Sequence, residues 1–64
     1  MKKSFIGMGD YYHANTYGLV RTVCKAYDFE SGEAMIAYVN VNEGGYVSDV
    51  FLMPEIQFKN IFLV

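Results

Sequence analysis

The chain has 64 residues, a formal charge of −2 and 53% apolar side chains, which makes one small domain that hides roughly 60% of its unfolded surface and has a thin stability margin. Its five cations, Lys2, Lys3, Arg21, Lys25 and Lys59, are scattered, so the basic stripe that a phosphate backbone requires is missing and no nucleic-acid partner is expected. A single cysteine, Cys24, excludes an internal disulfide and a four-cysteine zinc site.

Without those staples, a chain this short is expected to rely on oligomerisation or on an unusually apolar core. Six tyrosines and five phenylalanines are more than so small an interior covers, so some tyrosines belong at the surface. The unpaired cysteine suits a reducing compartment, and the expected location is cytoplasmic. Lys2-Lys3 does not open a secretory signal, because the apolar stretch 5–8 is interrupted by Gly7 and Gly9 and followed by Asp10. No apolar run approaches the roughly 20 residues of a membrane helix, so no membrane partner is expected.

In chain order, residues 1–9 read as a first strand or an arm that ends in a turn at Gly7-Met8-Gly9. The glycine spacing lacks the third glycine, the following helix and the later acid of a dinucleotide loop. Residues 11–14 read as a short strand, closed by a turn at Asn15-Thr16 before Tyr17-Gly18. Residues 17–27 form a long strand with two rows: Val20, Thr22, Cys24 and Ala26 as the core face, and Tyr17, Leu19, Arg21, Val23, Lys25 and Tyr27 as a mixed face. That pattern makes Cys24 a packed small hydrophobe.

Residues 28–33 carry three acids around Ser31-Gly32, in a spacing that suits a solvated turn and not an EF-hand, so no metal is expected. The hairpin built on this turn organises the chain. Residues 34–41 are apolar in both rows, as in a central strand or one whose outer face meets a partner. Asn42-Glu43-Gly44-Gly45 then turns the chain, with both glycines at positive φ, and residues 46–53 answer as the next strand. Pro54 ends it. Residues 55–58 are expected to make one 3₁₀ turn. Residues 60–64 end in Ile-Phe-Leu-Val and read as a last strand, whose apolar side chains Ile61, Phe62, Leu63 and Val64 would join a homo-oligomer, most simply a dimer. The expected fold is all-β: a small, strongly bent antiparallel SH3-like barrel of about five strands with one short 3₁₀ turn, in a single domain. An OB-like barrel is the second choice.

Tyr11 and His13, the run Val20-Arg21-Thr22-Val23-Cys24-Lys25-Ala26, the turn Glu30-Ser31-Gly32-Glu33 with Met35-Ile36-Ala37-Tyr38, and the ending Phe51-Leu52-Met53-Pro54-Glu55-Ile56-Gln57-Phe58 together resemble the small bacterial and phage proteins grouped as DUF1653. The Ser-Gly-Glu turn and the aromatic-x-x-Pro-x-x-x-Phe ending are the more specific parts. The chain departs from that pattern at Met53, where a basic residue is usual, and in a longer stretch before the second strand. The resemblance implies an SH3-like β fold and transfers no catalytic residue.

One histidine and one cysteine do not make a catalytic set, and no serine sits in a nucleophile elbow, so neither an enzyme nor a cofactor is expected. A binding role has more support. Tyr11, Tyr12, Tyr17 and Tyr46 offer rigid area with polar tips, and His13 and Arg21 offer groups that orient a ligand. The leading expectation is therefore a non-enzymatic interaction protein with an unidentified protein partner. The alternative is an oligomer that binds a small molecule or nucleotide, with Arg21 on a phosphate and a tyrosine on the base. For a phage-encoded chain, that alternative becomes an inhibitor or sequestering protein.

Overall fold

The computed structural model describes residues 6–63. The expectations for residues 1–5 and for Val64 lie outside that range. Four strands form one antiparallel sheet in the order β1-β2-β3-β4, with β1 at Tyr11–Ala14, β2 at Gly18–Tyr27, β3 at Ala34–Asn40 and β4 at Phe51–Pro54. One helix among the described residues, α1, follows at Glu55–Phe62 and lies on one face of the sheet. The shortest principal extent is 19 Å, which suits two layers stacked at the ~10 Å spacing of packed elements.

The strands arise where β-branched and aromatic residues alternate, and polar turns join them. Tyr17 donates its backbone N–H to the Ala14 carbonyl in the first turn. Gly18, at φ +75°, then adopts the left-handed conformation that side chains disfavour. In the second turn the Asp28 carboxylate accepts the backbone N–H groups of Glu30 and Ser31, both at 2.9 Å. Those amides, Ser31 first, hold the Asp28 pKa below the usual carboxylate value. Asp28 therefore caps its own turn.

The sheet does not close. The expected barrel needed a fifth strand at the C-terminus, and residues 55–62 are helical instead of forming a 3₁₀ turn followed by a strand. The cause is legible in the side chains. Phe58, Ile61 and Phe62 recur at three- and four-residue spacing, which gathers them on one helical face but would scatter them across both faces of a strand. Glu55 opens the helix and pairs with Lys59 four residues on, at 3.6 Å. Pro54 ends β4 and forms the helix N-cap, a place where its missing donor costs little.

Residues 46–53 were expected to be one strand, but only 51–53 belong to β4. Before them, Val41 and Val47 form an isolated bridge. Asn42 organises this connection: its side-chain oxygen accepts the backbone N–H groups of Gly44 and Tyr46, both at 3.0 Å. Gly45 takes φ +84°, and Gly44 does not take a positive φ.

The core lies between the sheet and α1. Phe58 and Val20 are 0% exposed and Ile36 1%, and Ile6, Tyr12, Tyr38 and Met53 complete the cluster. Tyr12 meets Phe58 edge-on at 5.4 Å, and Phe62 lies 4.4 Å from Phe58. Ile61, Phe62 and Leu63 pack on this same core and are half-buried. Residues 61–63 thus end a helix that packs partly on its own core, where a last strand was expected. Buried Thr22 ties the N-terminal segment to β2: its hydroxyl donates to the Gly7 carbonyl at 2.6 Å and accepts from the Asp10 N–H at 3.2 Å.

Candidate interaction surface

The bulge in β2 decides what each sheet face carries. Thr22 pairs with Tyr38 and Cys24 with Ala37, so Val23 is an extra residue between consecutive partners. A bulge of this kind shifts the side-chain alternation by one. Before it, Val20 and Thr22 face α1. After it, Lys25 faces α1, paired with Ile36, and Cys24 and Ala26 turn to the opposite face. The expected core row of Val20, Thr22, Cys24 and Ala26 therefore holds only for its first half. Cys24 is exposed, not packed.

Lys25 is well served on its new side. Its ammonium lies 3.3 Å from the Glu55 carboxylate and 5.7 Å from the Tyr27 ring. The hydrogen bond and charge of Glu55 raise the Lys25 pKa above the ordinary lysine value. Glu55 thus joins β2 to the helix through Lys25 and steadies the helix through Lys59.

The other sheet face has no element over it among the described residues. Strand pairing arranges it in rungs: Tyr11, Arg21 and Val39; His13 and Leu19; Val23 and Cys24 with Ala37 and Leu52; then Ala26, Met35 and Pro54. Ala37 and Val39, on the inner strand β3, are buried, Ala37 between Cys24 and Leu52 and Val39 beside Arg21. Around them Leu52 is 58% exposed, Val23 46% and Leu19 38%, far more than such side chains keep in a covered sheet. Charge on these rungs is sparse. Arg21 lies 6.0 Å from the Tyr11 ring centroid, and among the described residues no carboxylate comes within ion-pair distance of it.

The six side chains expected to form one binding group divide three ways. Tyr11, His13 and Arg21 are exposed together on the open face. Tyr12 lies in the core, 8% exposed, where its hydroxyl accepts the Gly7 N–H at 3.0 Å. Tyr17 and Tyr46 line an open cleft of about 290 Å³ at the end of the sheet, with Leu19, Asn40, Val41 and Val47. The Tyr17 ring is also 5.8 Å from Phe62, so part of its surface serves the core. Burial raises the pKa of the neighbouring Tyr38 phenol.

Sequence reasoning placed Leu19 and Val23 on the mixed row of the long strand but did not name them, or Leu52, as binding residues. The signal available was β3, apolar in both rows, which requires apolar cover or apolar neighbours on both faces. The open face brings His13 and Cys24 to one side but not to each other. His13 pairs with Leu19, five residues from Cys24 along β2, a separation on the order of 15 Å at strand rise. No family model, no curated protein and no solved structure matches this chain.

Proposed function

We propose that this chain is a non-enzymatic interaction protein that docks a protein partner on its open sheet face. One observation carries the reading: α1 seals one side of the sheet, while the other side presents Leu19, Val23 and Leu52 to water around a buried floor of Ala37 and Val39. Surfaces of this composition, apolar at the centre and edged by tyrosine and arginine, are those that partners cover. The resemblance to DUF1653 belongs to the same proposal. Its two more specific stretches coincide here with the Asp28-capped turn and with the junction of β4 and α1.

Leu52→Asp places a charge on the open face, and Ile56→Asp does the same on an exposed position of α1. In affinity capture from cell extract, the reading expects at least one protein held by the native chain and by Ile56→Asp but lost with Leu52→Asp. Identical captures from all three chains would overturn it.

A second reading has its own observation, the cleft between Tyr17 and Tyr46. Its volume approaches the lower end of small-ligand pockets, roughly 300 Å³, and two phenol rings suit a flat heterocycle. Native mass spectrometry of freshly purified protein separates the readings, since a co-purifying small mass that Tyr46→Ala abolishes belongs to the cleft.

A further inference from the structure

We infer that the occupant of the open face is an amphipathic segment of another protein that sets a carboxylate against Arg21, and not a second copy of this chain. The inference rests on the docking role proposed above and adds the partner's chemistry.

The three described cations are treated differently by the fold. Lys25 and Lys59 share Glu55, at 3.3 and 3.6 Å, on the helix side. Arg21 stands on the open side, with Val39 and Tyr11 as its strand neighbours and the Tyr11 ring 6.0 Å away. In water an exposed guanidinium needs nothing more. Once a partner covers Leu19, Val23 and Leu52, however, Arg21 loses hydration with them, and a desolvated charge must be paired and hydrogen-bonded. The rungs around it supply no acid: Tyr11, His13, Leu19, Val23, Cys24, Ala26, Met35, Ala37, Val39, Leu52 and Pro54 contain none.

This same list argues against self-association through the face. In a two-fold dimer each copy presents what the other presents, so two guanidinium groups would enter one apolar patch without a carboxylate from either side. A partner that brings apolar side chains around an aspartate or glutamate satisfies both needs. Arginine's planar fork favours a two-point contact with that carboxylate.

Fluorescence anisotropy with labelled 16-residue amphipathic helical peptides tests this. Three series share one apolar face and carry Glu, Gln or Lys at its centre. The expected result is binding about tenfold tighter for Glu than for Gln, with Lys weakest, since charge complementarity across an interface sets preference. Arg21→Glu should reverse the order in favour of Lys, while Leu52→Asp weakens all three series. If Leu52→Asp weakens binding but the three series bind alike and Arg21→Glu changes nothing, the carboxylate inference fails and the docking reading stands. If no series binds at millimolar peptide, or Leu52→Asp leaves binding unchanged, the docking reading itself fails. Analytical ultracentrifugation of the protein alone supplies the remaining outcome: a dimer at micromolar concentration that Leu52→Asp dissociates would show that the face is filled by a second copy.

Discussion

The two faces of the sheet use the same kinds of side chain for opposite ends. On the helix side, Phe58, Ile36 and Val20 are withdrawn from water by α1, and the nearby cation is matched by Glu55. On the far side, Leu19, Val23 and Leu52 are left exposed and, among the described residues, Arg21 has no carboxylate within ion-pair distance. An eight-residue helix covers one face of a four-stranded sheet and cannot cover two. The difference teaches that apolar content alone does not locate a core. The core is where the helix lands, and the bulge at Val23 determines which side chains of β2 turn toward it.

The largest test of that contrast compares truncations on the two faces. Phe58→Ala removes the side chain at the centre of the aromatic cluster and should cost about 3–5 kcal/mol in denaturant unfolding, much of what a domain of this size has. Leu52→Ala, on the open face, should cost less than about 1 kcal/mol. Equal losses would mean that the far face is covered too.

Thr22→Val keeps the shape but removes the hydroxyl that holds Gly7 and Asp10. An expected loss of about 1–3 kcal/mol follows from leaving part-buried backbone groups unpaired. Hydrogen exchange at Asp10 should speed up alongside it. Gly45→Ala forces a side chain into φ +84° and should cost about 1–2 kcal/mol by thermal melting.

The smallest effect is on pH. The backbone amides lower the Asp28 pKa, so the folded carboxylate is favoured. Its contribution is fully present above the unfolded-state value of about 3.9 and fades as pH falls through the lowered folded value. Asp28→Asn should flatten that acid limb slightly in melts between pH 2 and 5, an interval set by the ordinary carboxylate range. An unchanged limb would mean that the turn does not hold this carboxylate.

The hairpins were legible because turn chemistry is local. Asn15-Thr16 before Gly18 and Asp28 through Gly32 reverse the chain with their own hydrogen bonds, whatever packs elsewhere. The bulge was not legible. Val23 carries no glycine or other local mark, and its displacement follows from matching Thr22 and Cys24 to a separate strand. For that reason Cys24 was assigned to the wrong face. The helix was legible in the spacing of Phe58, Ile61 and Phe62, but a run of apolar residues beside a chain end suggests a strand when periodicity is not weighed over the full eight residues. Of the site, Tyr11, His13 and Arg21 were named for their aromatic and polar character, in one group with Tyr12, Tyr17 and Tyr46, and it is the pairing of β1 with β2 that separates them from the other three. Leu19, Val23 and Leu52 were passed over because an exposed aliphatic side chain looks the same in sequence as a buried one.

The openness of the far face is measured most directly at Cys24, which carries the only thiol in the chain and lies on that face. Reaction with a neutral aromatic disulfide reagent, in native buffer and in rising urea, reports whether solvent reaches it without unfolding. An open face predicts fast modification in native buffer, at a rate independent of urea below the unfolding transition. A thiol that reacts only through unfolding, with a rate that climbs in proportion to the unfolded fraction, would show the sheet closed over Cys24 and would contradict the two-faced description.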